Sequence, residues 1–170
     1  MAPTSRTTLI ALALAVASGA ATASGFLLTE QNVSGMGNAY AGSAAATDNA
    51  STIYFNPAGM TQLQAREASA GVAAIEPSFR FHDQGSRVGA FNGTGDGGNA
   101  GGWAALPNAY ASWALSRDVY VGVGVGAPFG LKTEYDAPWI GAAQSTLFEI
   151  KTYNVNPSLA YRVNERLSLG

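Results

Sequence analysis

The chain has 170 residues, of which 47% are hydrophobic, and its 9 Lys and Arg against 11 Asp and Glu give a formal net charge of −2. This balance leaves no basic surface, so we expect no nucleic-acid partner. The absence of cysteine and the single histidine exclude disulfides, thiolate zinc sites and histidine clusters, and we expect no metal and no cofactor.

Residues 1–23 have the three parts of a secretory signal peptide. Arg6 supplies the positive charge, residues 9–17 form the apolar stretch, and small residues lead up to Ala23. An uncleaved membrane anchor is the alternative, but an anchor needs about 20 apolar residues, and glycine and polar residues interrupt this run earlier. We therefore predict export from the cytoplasm, with cleavage after Ala23.

The stretch that follows, residues 24–67, is rich in Gly, Ala, Ser, Thr and Asn. Glycines make residues 34–46 a poor exposed helix, since each costs roughly 1 kcal/mol against Ala, but short helical turns packed on other structure are expected. Residues 52–55 are expected to be a brief extended piece. Asn56-Pro57 fits a turn or a helix start, with Asn as N-cap and Pro in the first position. On spacing alone an ordinary turn is the favoured interpretation.

From Ala68 onwards, apolar and polar residues alternate, which predicts β-strands with two different faces. The expected strands cover about 68–81, 107–115, 119–134 and 153–163, and a fifth begins at Leu167. The third strand is the most regular, with valines on one face and glycines on the other. Tight turns are expected at 116–118 and 164–166, and long loops at 84–106 and 137–146.

Three features favour a membrane barrel over a soluble sandwich. The strands reach the length of about 9–11 residues that a tilted transmembrane strand needs. Short turns alternate with long loops, as in outer-membrane barrels. Aromatic residues lie near strand ends or in loops: Trp113, Tyr135, Trp139, Tyr153 and Tyr161. A soluble sandwich also alternates, so periodicity alone leaves both open, and the export signal favours the barrel.

Several separated stretches resemble the outer-membrane long-chain fatty acid transporter family of the FadL/TodX type. They are SGF (24–26), SGMGNAYAG (34–42), FNPAGM (55–60), GAPFGLKTEY (126–135) and NVNPSLAYRVN (154–164). The resemblance implies a mostly β fold, a transmembrane antiparallel β-barrel of about 14 strands with an N-terminal plug, or hatch, of short helices and turns. It divides the chain into a signal peptide (1–23), the plug (24–67) and a truncated barrel (68–170) holding about four to five strands.

The resemblance also assigns roles within the plug. The N-terminal aromatic residue of the mature family proteins reaches into an apolar ligand pocket, and this role maps onto Phe26. The family's Asn-Pro-Ala element belongs to the hatch and is tied to transport, and it maps onto Asn56, Pro57 and Ala58.

A break in the barrel wall is expected at Pro128. Proline cannot donate a hydrogen bond to a strand ladder, and it is confined to edges, strand starts or bulges. Pro128 nevertheless lies inside the third predicted strand, between Gly126 and Gly130. The resemblance implies an inward kink beside a lateral opening at Gly126, Pro128, Phe129 and Gly130.

The function that this resemblance implies is passive uptake through the outer membrane and not catalysis. A long-chain fatty acid or another hydrophobic compound would bind in an apolar pocket, the hatch would rearrange, and the ligand would leave through the wall. The implied surroundings are outer-membrane lipid and lipopolysaccharide. A general diffusion porin, or a surface adhesin or antigen barrel, remains the alternative. The enzyme alternatives are weak, because Gly122-x-Gly124 is not followed by a helix and only His82 is available for a Ser/His arrangement.

Overall fold

The computed structural model describes residues 25–86 and 94–170, so the predicted signal peptide lies outside the described residues. The strands are β1 (Arg66–Ile75), β2 (Ala104–Ala114), β3 (Val119–Gly126), β4 (Gly130–Glu134), β5 (Leu147–Lys151), β6 (Asn154–Asn164) and β7 (Leu167–Leu169). No helix within these two ranges has the length and apolar character needed to cross a membrane.

Five of the strands form one antiparallel sheet in the order β1-β2-β3-β6-β7, and β4 pairs with β5 in a separate hairpin. The predicted turn at 116–118 is formed, with the Ser116 hydroxyl accepting bonds from the backbone N–H groups of Asp118 and Val119 at 3.2 and 3.1 Å. We call the end of the sheet with this turn the turn end, and the opposite end the loop end. The predicted fold class, mostly antiparallel β, is confirmed.

The alternation predicted for β3 is confirmed, and the structure shows which face is covered. Tyr120, Gly122, Gly124 and Gly126 are buried, whereas the valines between them are partly or fully exposed. The buried face is the one on which the plug lies. The plug therefore packs against a row of glycines and not against the valines.

The plug contains a 3₁₀ turn (Met36–Asn38), a short helix α1 (Thr52–Phe55) and a 3₁₀ helix (Pro57–Gln62). The expectation of an extended piece at 52–55 is wrong. Asn49 turns the chain into the helix, because its side-chain oxygen accepts from Ser51 N–H at 2.9 Å and its backbone oxygen accepts from Thr52 N–H at 3.1 Å. The expected N-cap position of Asn56 and first position of Pro57 are both observed.

Residues 50–63, which we call the plug base, form the centre of the hydrophobic core. Ile53 and Met60 are fully buried and share a cluster with Tyr110 and Tyr120 of the sheet. A Cβ atom added to Gly122 would lie 2.6 Å from Met60 Sδ and 2.7 Å from Ile53 Cδ1. The two side chains therefore contact the strand backbone directly, and burying each of them contributes roughly 1.5–3 kcal/mol.

Two strand predictions need correction. β1 begins at Arg66 and ends at Ile75, so Phe79 and Phe81 lie beyond it. Glu76 is followed by Pro77, which has no N–H to continue the ladder. The third predicted strand is two strands, and β5, which pairs with the second of them, was not predicted.

Candidate functional site

The β-sheet has a gap next to Pro128, where β3 ends, and the gap lies on one side of this strand only. Pairing between β2 and β3 ends at Ala109 and Val125, although β2 begins at Ala104. On the other side of β3, pairing with β6 continues one residue further, from Gly126 to Asn154. We call the space between residues 104–108 and residues 127–130 the strand gap. It opens towards β2 and not towards β6.

A side chain keeps the β6 side of the break closed. The Thr152 hydroxyl accepts a hydrogen bond from Phe129 N–H at 3.0 Å and donates one to the Phe129 carbonyl at 2.7 Å. Thr152 N–H donates to the same carbonyl at 3.2 Å. These bonds connect the end of the β3–β6 ladder to the start of the β4–β5 ladder.

The start of the plug occupies the open side of the break. We call residues 26–31 the N-terminal segment. Leu28 N–H donates to the Pro128 carbonyl at 2.9 Å, and Gly130 N–H donates to the Phe26 carbonyl at 3.3 Å. Residues 27 and 129 form the antiparallel bridge between these two bonds. The N-terminal segment therefore takes the place of a neighbouring strand where β2 has moved away.

Gln31 connects the N-terminal segment to both sides of the strand gap. Its side-chain nitrogen donates to the Ala127 carbonyl at 3.1 Å and to the Leu28 carbonyl at 2.9 Å. Its backbone carbonyl accepts a 2.7 Å bond from the Tyr110 hydroxyl on β2. The residue is only 2% exposed. The sequence gives no signal for this role, because a single glutamine in a polar run matches no motif.

The structure brings some of the predicted site residues together. Phe26 lies beside the break at 126–130, although its side chain is 48% exposed. Asn56, Pro57 and Ala58 form no hydrogen bond with the break among the described residues. Asn56 Nδ2 instead donates to the Ala44 carbonyl at 2.9 Å, which ties the plug base to residues 24–49, which we call the first half of the plug.

Further hydrogen bonds lie within the first half of the plug and between it and the plug base. The Tyr40 hydroxyl donates to the Asn32 carbonyl at 2.9 Å, and Asn32 Nδ2 donates to Ser51 Oγ at 2.7 Å. Burial, and to a smaller extent the Glu30 carboxylate, raise the pKa of Tyr40. A phenol with its ordinary pKa of about 10 is already neutral at physiological pH, and the raised pKa keeps the Tyr40 hydroxyl a donor to still higher pH.

At the turn end, Arg162 of β6 fastens the plug base to the sheet. Its Nη2 donates to the Thr61 carbonyl, and its Nη1 donates to the Arg117 carbonyl at 3.4 Å. The guanidinium also lies 6.0 Å from the centre of the Tyr120 ring. The Thr61 and Ser168 hydroxyls are 2.8 Å apart, so β7 adds a second attachment.

We expect Arg162→Met to loosen the plug base. The substitution removes charge-assisted bonds, each worth about 1.5–3 kcal/mol, while leaving an apolar stem of similar length. The predicted result is faster proteolysis within residues 50–63 of the folded protein. Arg166→Met is the matched control, because Arg166 is exposed in the β6–β7 turn. Equal proteolysis of the two variants would contradict the attachment.

At the loop end, the connection between β4 and β5 is hydrogen-bonded to the loop that precedes β2. Ile140 N–H donates to the Gly95 carbonyl at 3.0 Å, and Asp136 N–H donates to the Gly97 carbonyl at 2.9 Å. The Tyr135 and Trp139 rings stack with their centroids 3.9 Å apart. The connection between β4 and β5 is therefore supported by the loop that precedes β2.

The comparisons with known proteins agree on one kind of protein. Outer membrane protein P1 of Haemophilus influenzae is 34% identical over 95% of this chain and 38% of its own length. The long-chain fatty acid transport protein of Escherichia coli K12 is 30% identical over 95% of this chain and 35% of its own length. The crystal structure of a Pseudomonas aeruginosa FadL homologue superposes with a TM-score of 0.65 at 25% identity, covering 84% of this chain and 35% of that one.

The chain thus spans little more than a third of the length of these relatives. The sequence model of a family described as outer membrane protein transport protein (OMPP1/FadL/TodX) matches residues 14–170. The protein is an outer-membrane protein of the kind found in Gram-negative bacteria, and the relatives it matches are transport proteins and not enzymes. The resemblance noted in the sequence is confirmed, and the chain belongs to the OMPP1/FadL/TodX family of outer-membrane transport proteins.

Proposed function

We propose that this protein carries hydrophobic compounds, with long-chain fatty acids as the first candidates, passively across the outer membrane. The observation that carries the proposal is the strand gap, which opens on one side only and is filled by the N-terminal segment. A relative that is named a long-chain fatty acid transport protein supports the choice of ligand.

In the proposed mechanism, the N-terminal segment leaves the strand gap and the ligand passes sideways into the membrane. Opening breaks the bonds that Pro128, Gly130, Ala127 and Tyr110 make with the N-terminal segment, while the Thr152 side of the break stays paired. Each such bond has a net value of about 0.5–1.5 kcal/mol. The total is a few kcal/mol, which a ligand that prefers the open state can supply.

We propose that Phe26 couples ligand binding to this opening. The residue is 48% exposed, and its carbonyl accepts one of the bonds that hold the N-terminal segment in place. A hydrophobic ligand that packs on the Phe26 ring would favour a position of the N-terminal segment outside the strand gap. Asn56, Pro57 and Ala58 would instead keep the two halves of the plug connected through the Asn56–Ala44 bond.

The uncovered face of the sheet is the proposed contact with outer-membrane lipid, including lipopolysaccharide. Val72, Val155 and Leu159 are 61–65% exposed on this face. Trp103 lies just before β2 at the loop end, and Trp113 lies near its turn end. Their separation is about 33 Å along an extended strand, or about 25 Å at a tilt of about 40°, which matches the apolar band of a membrane barrel.

Closing the strand gap is the test of lateral exit. In the full-length protein, Pro128→Ala restores an N–H at 128, which favours a continuous strand, and it leaves the close contact between Gly126 and Gln31 unchanged. We expect uptake of radiolabelled fatty acid to fall about tenfold or more, the effect of a barrier raised by about 1.4 kcal/mol.

Pro157→Ala is the control, because Pro157 lies in β6 and pairs with Val123 without a break. We expect it to leave uptake unchanged. Unchanged uptake in the Pro128→Ala variant would rule out exit through the gap. Ion conductance of the reconstituted protein distinguishes this function from that of a general diffusion porin. A plugged transporter conducts poorly, whereas a general diffusion porin conducts well.

A further inference from the structure

Gln31 has a position that the proposed function does not by itself explain. It is almost completely buried, it lies between β2 and the broken strand, and its hydrogen bonds reach both. A Cβ atom added to Gly126 would lie 3.0 Å from Gln31 Oε1, so the side chain fits closely against the last residue of β3.

The chemistry of the strand gap explains why an amide suits this place. Continuing the β2–β3 register places Pro107 opposite Ala127, and because proline has no N–H, β2 offers no donor to the Ala127 carbonyl. This carbonyl lies in partly buried surroundings, where the lack of a donor is costly. The Gln31 amide has two N–H donors, and it uses them on the carbonyls of Ala127 and Leu28.

We propose that Gln31 is the positioning residue that holds the N-terminal segment in the strand gap. Its amide replaces the missing strand donor on one side, and its backbone carbonyl accepts the Tyr110 hydroxyl on the other. Removing the amide donors shifts the segment towards the released state. The consequence for transport rests on the proposed lateral exit, whereas the closing contact itself does not.

Two substitutions separate the donors from the shape of the side chain. Gln31→Met keeps a similar length and volume but has no N–H. Gln31→Glu keeps the shape but turns a carboxylate towards two carbonyl oxygens, so it should release the segment further. Gln62→Met and Gln62→Glu are matched controls, because Gln62 is an exposed glutamine of the same plug.

A disulfide reports closure directly. Leu27 and Phe129 form an antiparallel bridge flanked by the bonds Gly130–Phe26 and Leu28–Pro128, so they are a non-hydrogen-bonded pair whose side chains approach closely. The printed sequence has no cysteine, so Leu27→Cys with Phe129→Cys adds the only thiols of this region. Oxidation in the full-length protein in outer membranes should give the disulfide in high yield.

The expected result is a severalfold lower disulfide yield with Gln31→Met, a lower one still with Gln31→Glu, and no change with either Gln62 variant. Folding of every variant is checked by the heat-dependent shift in electrophoretic mobility of the barrel. An unchanged yield in both folded Gln31 variants would overturn the proposal.

Fatty acid uptake by the cysteine-free Gln31→Met protein then tests the transport consequence separately. Uptake that rises severalfold supports both the positioning role and lateral exit. A lower disulfide yield with unchanged uptake supports the role of Gln31 and counts against lateral exit.

Discussion

Gly122→Val is expected to displace the plug base from β3 and to lower the thermal stability of the protein. In an exposed strand this substitution normally stabilises, because valine favours extended structure. Here a Cβ atom would lie 2.6 Å from Met60 Sδ and 2.7 Å from Ile53 Cδ1, on the covered face of β3. Overpacking of this kind costs about 1–3 kcal/mol.

The measurements are the temperature of the heat-dependent mobility shift and the ion conductance of reconstituted protein. We expect the mobility-shift temperature to fall. We expect the conductance to rise, because a displaced plug leaves a water-filled path. Val123→Ile, on the uncovered face of the same strand, is the control and should change neither the mobility-shift temperature nor the conductance. A stable, poorly conducting Gly122→Val protein would show that the glycine row is not required to seat the plug.

Ile53→Ala is expected to have the largest effect on stability, about 2–5 kcal/mol. The side chain is fully buried, and its removal leaves a cavity between α1 and β3. Denaturant titration of the folded protein in detergent measures this loss. Val155→Ala removes an apolar side chain that is 65% exposed, and it should cost far less.

The two sites should also compensate each other. Gly122→Ala adds a methyl group where Ile53→Ala removes carbon atoms, so the double variant should be more stable than the sum of the single effects predicts. Coupling between contacting residues is typically about 0.5–3 kcal/mol. Additive effects would mean that Ile53 and Gly122 are not in contact.

The sequence predicts the local features of β3 because they depend on neighbouring residues. The valine and glycine faces follow from a two-residue period, and the break follows from a proline without an N–H. The direction of the gap could not be predicted, since it depends on where β2 stops pairing. β5 was missed because five residues, three apolar and two charged, give a weak strand signal, and only pairing with β4 makes them a strand.

Other features were predicted poorly because distant contacts override local preference. Ile53, Tyr54 and Phe55 have high strand propensity, yet the Asn49 turn and the burial of Ile53 make them helical. Gln31 and Arg162 acquire their roles from partners far away in the sequence. The roles of Phe26 and of Asn56, Pro57 and Ala58 remain predictions.

The attachments of the plug impose an order on biogenesis. The Gln31–Ala127 bond spans 96 residues, the Arg162–Thr61 bond spans 101, and the Thr61–Ser168 contact spans 107. Contacts this distant form late, because the intervening chain must close a long loop first. The plug is synthesised before the strands, yet it therefore packs against them late in folding. Until β2, β3 and β6 have assembled, Ile53 and Met60 lack the full set of residues that bury them, and they need protection from aggregation.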